Sequence, residues 1–541
     1  MYRKNKLGVM ILAATLMLSI TVTGCGTGGT ATPAPAKDMK TSYNPGPEPK
    51  TLDPQMSNGI PEAIMEMNLF EGLTRLDKNN VPQPAIAEKI DVSADGLKYT
   101  FHLRDSKFSN GDPLTAEDFK FAWMHAMDPA SAAEYAYQVA DYIKGGDAYN
   151  SKKGKAEDVG IKVIDPKTLE VTLENATPYF MALAAFPTYF PVNKKAVEAN
   201  KDWNLKAETF VSNGPFKMKS WAHNDKMVLV KNDNYWDTKS VKLTELTFTL
   251  IEDQKAYVTA YEAGQVDGTD NGVPADDVER LLKSGDLKVD PQIGTYYYRF
   301  NVTKKPYDDP RVRQALAMAI DRKKIVDTVQ KTHEKSAFAF TPYGINDVDA
   351  SKQFRDVGGD YFKEDLVKAK QLLADAGFPD GKGFPEIKIL FNSSSTHEKY
   401  ATIIQDMWSK NLGIKATLRP EEWKVYQESQ QKLDYDVARA AWVGDYMDPM
   451  TFLDMFVKDG GNNQTGWSNP QYDALIAGAK KNADTKTRMQ QLHDAEKILM
   501  TEMPVMPINF YLSKYTAKPY VKNVIHSPLG FVDFKNATVE K

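Results

Sequence analysis

The chain has 541 residues, with 68 Lys and Arg against 72 Asp and Glu, a formal net charge of -4, 42% apolar residues and one cysteine. A chain of this length builds about two to four domains and buries enough surface to fold without disulfides or structural metals. The near-neutral charge argues against a nucleic-acid partner, and a single cysteine excludes both a disulfide framework and a cysteine-based metal cluster.

The N-terminus has the pattern of an export signal. Arg3, Lys4 and Lys6 precede an apolar run at residues 7–20. This run is shorter than the roughly 20 residues that a membrane-spanning helix needs, so we predict a signal peptide over residues 1–24. We therefore expect the protein to be exported across the cytoplasmic membrane.

The only cysteine of the sequence, Cys25, lies where this signal would be cleaved. The tetrapeptide Val-Thr-Gly-Cys at 22–25 resembles a bacterial lipobox, whose cysteine receives a diacylglycerol and an acyl chain such as palmitate. An ordinary secretory site with an incidental cysteine is the alternative. Residues 25–39 are small, polar and proline-rich, which is typical of a flexible tether. The resemblance implies a protein that is lipid-anchored on the extracytoplasmic face of the cell membrane.

From about Lys40 onward, alternating and helical patterns follow one another, which predicts a mixed α/β architecture. A proline after an aspartate, Asp165-Pro166, predicts the turn of a hairpin between two of the strands. The predicted strands are residues 97–103, 161–164, 169–173, 227–230, 246–251, 296–300, 387–391 and 437–443.

Helix boundaries are marked by capping signals. Thr115 followed by Asp118 predicts a capping box at the start of a helix. The Asp-Pro pair at 309–310 predicts the start of another. Two further helices, at 364–376 and 397–410, are each predicted to end close to a glycine.

Catalytic motifs are missing from the sequence. It contains no phosphate-binding loop, no nucleophile elbow and no zinc-binding HExxH helix, and its seven histidines show no metal-ligand spacing. We therefore expect no metal, no cofactor and no enzymatic activity. Two segments do stand out, residues 296–298 with three tyrosines and residues 434–449 with aromatics and acids. From the pattern alone, each fits either a buried core strand or a binding site.

Ordered motifs run along nearly the whole exported chain. They are LDP at 52–54, LFEGLTR at 69–75, YTFHLR at 99–104, SNGDPLTAEDF at 109–119, SNGPF at 212–216, TYYY at 295–298, VRQAL at 312–316, WSKNLG at 408–413, EW at 422–423 and RAAWVGD at 439–445. Together they resemble the extracytoplasmic oligopeptide-binding proteins of ABC importers, solute-binding protein family 5. Among these, the similarity is greatest to Gram-positive lipoproteins, in keeping with Cys25.

The resemblance implies an α/β fold that is periplasmic-binding-protein-like, of the class II type, with two lobes joined by a hinge plus an extra domain. It places lobe I at residues 40–70, 194–293 and 512–541. The additional domain is expected at 71–193 and lobe II at 294–511.

The resemblance also implies a function, in which a monomer captures short peptides outside the membrane and delivers them to an ABC transporter permease. An extended peptide offers one N–H and one C=O per residue whatever its side chains, so pairing it with protein strands gives affinity that ignores sequence. A narrower ligand remains an alternative: a dipeptide, a signalling peptide, nickel or haem. A secreted lipid-anchored hydrolase is an alternative of a different class.

Site residues follow from the same resemblance. Asp445 matches the carboxylate that pairs with the α-ammonium of the peptide, an interaction that strengthens when closure removes water. The segments that match those binding the peptide main chain are Asn58, Gly59 and Ile60 on one side and Ala441, Trp442 and Val443 on the other. Positions that match side chains lining the cleft are Tyr135, Trp423, Trp442 and, more weakly, Asn271.

For the peptide carboxylate, the family uses alternative cations at different depths. Arg439 and His397 lie at matching positions, and Lys331 is displaced by one position from a third. The chain departs from the better-known enteric members at Gln430, where those proteins carry an arginine. The resemblance therefore implies nothing about the preferred peptide length.

Overall fold

The computed structural model describes residues 39–270, 272–349, 351–482 and 484–541. The strands in this part of the chain are β1 (Lys40–Tyr43), β2 (Thr74–Leu76), β3 (Pro82–Pro84), β4 (Ala87–Val92), β5 (Lys98–Leu103), β6 (Ile161–Asp165), β7 (Thr168–Thr172), β8 (Phe216–Ala222), β9 (Lys226–Lys231), β10 (Glu245–Thr249), β11 (Gly268–Thr269), β12 (Leu287–Phe300), β13 (Ile387–Asn392), β14 (Ala416–Glu421), β15 (Val437–Val443), β16 (Val505–Ala517), β17 (Val521–Lys522), β18 (Ile525–His526), β19 (Val532–Asp533) and β20 (Thr538–Val539).

Helices alternate with these strands, and several begin at the predicted caps. Thr115 and Asp118 form the predicted capping box, with the Thr115 N–H donating to Asp118 at 2.9 Å. The helices are α1 (Ile60–Leu69), α2 (Ala116–Met127), α3 (Ala136–Ala140), α4 (Gly146–Asn150), α5 (Phe180–Leu183), α6 (Lys194–Ala199), α7 (Gln254–Glu262), α8 (Val278–Ser284), α9 (Pro310–Met318), α10 (Arg322–Ile325), α11 (Phe354–Gly358), α12 (Leu366–Asp375), α13 (Ser395–Leu412), α14 (Trp423–Gln431), α15 (Met450–Leu453), α16 (Pro470–Lys481) and α17 (Thr485–Glu502).

The largest sheet has six strands in the order β11-β16-β12-β15-β13-β14. Its two long strands, β12 and β16, pair antiparallel, and their register shifts between Pro291 and Thr295. The predicted lobe boundaries, 293/294 and 511/512, fall at this irregularity. A break in the ladder is where two long strands bend most easily, but the domain limits stay a prediction.

The strand β15 has one paired edge and one partly open edge. Along its whole length, β15 pairs antiparallel with β12. On its other side, β13 pairs only with Val437 and Ala438. In the described residues, the edge of β15 from Arg439 to Val443 therefore has no strand partner.

Two four-stranded sheets complete the main framework. One has the order β1-β10-β9-β8 and is built from segments assigned to lobe I, whereas the other has the order β4-β5-β7-β6 and lies inside the predicted additional domain. The mixed α/β architecture and all eight predicted strands are confirmed, although several strands begin or end a few residues from the predicted limits.

The tyrosine run of β12 is part of the core. Tyr296, Tyr297 and Tyr298 are each almost fully buried. Tyr297 belongs to one hydrophobic cluster while Tyr296 and Tyr298 belong to another, because successive side chains of a strand face opposite sides of the sheet. Within the ranges given above, no helix is long and apolar enough to cross a membrane.

Candidate functional site

A cavity of about 350 Å³ lies beside the open edge of β15, within the roughly 300–1,000 Å³ of small-ligand sites. Its walls come from the start of α1, the residues before α3, the strands β12 and β16, and the helices α13 and α14. The predicted site residues that line it are Asn58, Gly59, Ile60, Tyr135, His397, Trp423, Arg439, Ala441, Trp442, Val443 and Asp445.

Three predicted residues are not among those lining the cavity. Lys331 lies next to the lining residue Gln330, and its Nζ pairs with Glu279 at 3.3 Å. Asn271 and Cys25 lie outside the described residues, so their predicted roles are untested by the structure.

Asp445 follows β15 and is only 6% exposed. Its carboxylate accepts hydrogen bonds from Tyr135 Oη at 3.2 Å, Gln138 Nε2 at 2.7 Å and Thr451 Oγ1 at 3.2 Å, all of them neutral groups. Burial raises the pKa of Asp445 well above its usual range, and the Asp454 carboxylate raises it further. Among the described residues, no cation is one of the main groups acting on this carboxylate. Asp445 is therefore a buried acid without a charge partner.

Asp454 is a second buried acid near this site. Burial raises the pKa of Asp454 to about 7, an effect that Lys480 reduces. The Lys480 Nζ lies 3.7 Å from Asp454 but also pairs with Asp141. Neither carboxylate oxygen of Asp454 has a hydrogen-bond partner in the described chain. A cationic ligand group at this end of the cavity would favour the charged form of these acids and so oppose the rise in their pKa.

The open edge of β15 presents main-chain groups in an alternating pattern. The Gly444 N–H donates to the Ile293 carbonyl of β12 at 2.8 Å. Because hydrogen-bonded and non-bonded pairs alternate in an antiparallel ladder, the main chain of Trp442 faces β12 and that of Ala441 and Val443 faces away. Two residues of the predicted segment thus offer N–H and C=O groups along the open edge. Trp442 contributes its indole ring to the cavity instead.

Gly59, on the facing wall, has an extended backbone with φ -99° and ψ 151°. A Cβ added there would lie 2.0 Å from the Glu62 carboxylate. Glu62 is fixed by the main-chain N–H of Lys50 at 2.8 Å and by the Trp423 indole at 3.4 Å. A side chain at position 59 would therefore require the Glu62 carboxylate to shift from these two contacts.

Arg439 lies on the opposite face of β15 from Trp442 and is 9% exposed. Its Nη1 donates to Asn392 Oδ1 and its Nη2 to Tyr511 Oη, both at 3.2 Å, while Nε has no acceptor. None of these partners is an anion. Burial lowers the pKa of His397 well below its usual range, and Arg439 lowers it further, so His397 is neutral. Arg439 is therefore the charged member of this pair.

Sequence reasoning missed several residues that line the cavity or hold its acids. The clearest available signal was Arg299, a charged residue directly after the three buried tyrosines of β12, which is unusual for a core strand. The others carry polar or charged side chains in helices, in loops and on the unpredicted strand β16, where sequence offers no reason to select them. The missed residues are Glu134, Gln138, Arg299, Gln427, Gln464, Tyr511 and Lys514.

A mixed α/β fold around a cavity with a buried acid and a buried guanidinium, neither paired with an opposite charge in the described residues, fits a solute-binding protein. The chain belongs to the bacterial extracellular solute-binding proteins, family 5, whose model (described as "family 5 Middle") matches residues 81–464. It is 41% identical over 501 residues to the oligopeptide-binding protein OppA of Bacillus subtilis, with 91% of each chain covered. The predicted family and fold class are thus confirmed.

Solved structures show the same fold. OppA of Listeria monocytogenes bound to peptide is 31% identical, has a TM-score of 0.88 and covers 93% of this chain and 100% of its own. The Escherichia coli murein tripeptide binding protein MppA is 34% identical, with a TM-score of 0.87, covering 94% of this chain and 99% of its own. The unliganded open form of MppA is 33% identical and covers 93% of this chain and 98% of its own. Its TM-score is only 0.62. This chain therefore differs in arrangement from that open form.

Proposed function

We propose that the protein captures short peptides outside the cytoplasmic membrane and delivers them intact to the permease of an ABC importer. The observation that carries the proposal is a pair of complementary charges in one cavity. Asp445 is a buried carboxylate without a cation, and Arg439 is a buried guanidinium without an anion. A peptide with a free α-ammonium and a free α-carboxylate supplies both partners.

Two other pairs of buried charges in the described chain show the usual arrangement, in which each charge is paired within the protein. Arg355 lies 2.7 Å from Glu496, and Arg488 lies 2.7 Å from Asp448. A buried ion without a partner is costly, because its lost hydration is not replaced. The contrast with Asp445 and Arg439 supports a ligand that carries the missing charges.

Main-chain recognition makes the site tolerant of peptide sequence. The outward-facing groups of Ala441 and Val443 can pair with an extended ligand as an added strand. Tyr135, Trp423 and Trp442 supply aromatic walls, whose rigid rings bury varied side chains without requiring one shape. This combination favours a binder of many peptides over a binder of one.

Closure over the ligand is supported by contacts between segments assigned to different lobes. The Trp423 indole donates to Glu62 at 3.4 Å, and Gln427 Nε2 donates to Asn58 at 3.2 Å. We infer that peptide binding shifts an open–closed equilibrium and that the closed form is the one presented to the permease.

The proposal is tested with purified protein incubated with a mixture of short peptides and then analysed by native and denaturing mass spectrometry. Intact peptides of mixed composition are expected in the native complex. A single defined ligand would indicate a narrow binder, and shortened peptides would indicate a hydrolase. Asp445→Asn should lose bound peptide, while Asp459→Asn, which changes an exposed acid, serves as the matched control.

We also infer that Cys25 anchors the protein by lipid to the outer face of the membrane and that the protein acts as a monomer. The support is the lipobox-like segment and the polar tether that follows it. In cells, Cys25→Ser should release the protein from the membrane fraction into the medium and abolish palmitate labelling. Retention of the variant in membranes would contradict the anchor, and light scattering of the released form measures its mass.

A further inference from the structure

We propose that Arg299 forms a subsite for an acidic side chain at the second residue of the bound peptide. The inference rests on the proposed peptide-binding function and assigns to this chain a preference among the peptides that it binds. Three features support it. Arg299 has N–H donors without acceptors, its side chain is on the same face of the sheet as Trp442, and hydrogen bonds connect it to the Asp445 end of the cavity.

Arg299 lines the cavity and is 5% exposed. Its Nη1 donates to Gln430 Oε1 at 2.6 Å and to Gln464 Oε1, and its Nη2 donates to Tyr297 Oη at 3.1 Å. Its Nε has no acceptor in the described residues. A guanidinium has five N–H donors, so Nε and one N–H of Nη2 stay available. Nε and Nη2 lie along one edge of the guanidinium, and such an edge can bind a carboxylate in a bidentate manner.

A second donor without an acceptor lies on the same face of the sheet. In the β12–β15 ladder, Arg299 is opposite Ala438 and Thr295 is opposite Trp442. Since opposite residues of an antiparallel pair share a face, the side chains of Arg299 and Trp442 are on one side. The indole Nε1 of Trp442 also lacks an acceptor. This face therefore offers N–H donors to a ligand and needs acceptors from it.

Peptide direction and side-chain alternation determine which ligand residues share the face of Arg299. With its ammonium at Asp445, the peptide runs antiparallel to β15, and its first and third residues pair with Val443 and Ala441. Their side chains share the face of those two residues, so the second residue points to the other face. That face carries Trp442 and, opposite Ala438 further along the ladder, Arg299; in a tripeptide the second residue is the only one that points to this face.

Hydrogen bonds also connect Arg299 to the ammonium end. Gln464, which accepts from Arg299, donates through Nε2 to Glu134 at 3.1 Å. Glu134 precedes Tyr135, whose hydroxyl donates to Asp445 at 3.2 Å. The guanidinium is therefore linked to the part of the cavity where the first two peptide residues bind.

Glu134 is the nearby group that could oppose an acidic ligand. Its carboxylate already accepts from Asn58, Gln431 and Gln464 and lies 3.6 Å from the Lys50 ammonium. Its acceptor positions are thus occupied and its charge is partly balanced. The charge of Arg299 also lowers the pKa of Glu134, but among the described residues no carboxylate forms an ion pair with its guanidinium, so the subsite keeps donors for an acidic ligand group.

The test compares dissociation constants of Ala-Glu-Ala, Ala-Gln-Ala and Ala-Lys-Ala by calorimetry, with Glu-Ala-Ala and Ala-Ala-Glu as positional controls. We expect Ala-Glu-Ala to bind at least tenfold more tightly than Ala-Gln-Ala, with no such gain for glutamate at the first or third position. Equal affinities for the glutamate and glutamine peptides, or a preference for lysine, would overturn the inference. If no tripeptide binds at all, the proposed function itself fails.

Variants assign the preference to the guanidinium. In Arg299→Met, the affinities for Ala-Glu-Ala and Ala-Gln-Ala should differ by no more than about twofold. Arg299→Lys should retain part of the preference for glutamate. Arg311→Met, which changes an exposed arginine, should retain the whole preference. A ratio that survives in Arg299→Met would contradict the assignment. If thermal unfolding shows that Arg299→Met does not fold, the comparison of peptides with the unaltered protein still tests the preference for an acidic second residue.

Discussion

Asp445 gives the sharpest test of peptide binding, because its proposed partner can be removed from either side. Asp445→Asn keeps the size of the side chain and removes its charge, while acetylation of the peptide N-terminus removes the positive charge of the ligand. If the two groups form an ion pair, the second change should cost little once the first has been made. A double-mutant cycle with Ala-Ala-Ala and its acetylated form isolates this interaction.

The magnitude follows from the surroundings of Asp445. Removing one partner of a buried, hydrogen-bonded charge pair costs about 2–5 kcal/mol. Two features place this pair near the low end. Burial and Asp454 raise the pKa of Asp445, so part of the interaction energy is used to ionise the carboxyl group, and three neutral donors already stabilise its oxygens. We expect a loss of about 1.4–2.8 kcal/mol, which is ten- to a hundredfold in the dissociation constant.

Isothermal titration calorimetry measures all four combinations of protein and peptide. Acetylation should weaken binding to the unaltered protein by at least tenfold and to Asp445→Asn by less than threefold. An acetylated peptide that loses equal affinity for both proteins would show that the ammonium binds elsewhere. Asp459→Asn controls for the loss of an acid as such, and thermal unfolding confirms that both variants are folded.

Three further predictions concern the ends and the wall of the cavity. Because a bound ammonium lowers the raised pKa of Asp445, binding should release a proton, and affinity should increase with pH as Asp445 ionises, as long as the pH stays below the ammonium pKa of about 8; calorimetry in buffers of different ionisation enthalpy checks the sign. Arg439→Met should weaken the binding of peptides with a free C-terminal carboxylate about tenfold but leave the binding of peptides with a C-terminal amide nearly unaffected. Equal losses of affinity would place the carboxylate elsewhere. Gly59→Ala should lower the free energy of unfolding by about 1–3 kcal/mol, since the new methyl group meets the fixed Glu62 carboxylate; an unchanged denaturation curve would show that Glu62 moves freely.

Local signals in the sequence predict the elements of this fold well. The strand at residues 437–443 has the limits predicted for it, and the capping box of Thr115 and Asp118 is present. These features depend on side-chain alternation and on contacts a few residues apart. The long strand β16 and the first nine residues of β12 were not predicted, because glycine, proline and polar residues interrupt their alternation and only pairing between distant segments holds them extended.

Residues of the cavity were found by resemblance more than by pattern. Asp445 and Arg439 stand in a segment that, taken alone, fits a core strand as well as a site. Gln138 and Thr451, which hold Asp445, come from α3 and α15, more than 300 residues apart in sequence. No local periodicity brings such residues together, since their meeting depends on how whole segments pack.

The two unpartnered charges also explain why closure should depend on ligand. In an open cleft, water solvates both Asp445 and Arg439. Closing an empty cleft would remove that water, so Asp445 would have to take up a proton and Arg439 would be buried without an anion, which is unfavourable for both. Closing over a peptide replaces water with an ammonium and a carboxylate, and the open edge of β15 gains main-chain hydrogen bonds at the same time. The charges that anchor the ligand therefore also disfavour the closed empty form, so the permease meets closed protein mainly when a peptide is inside.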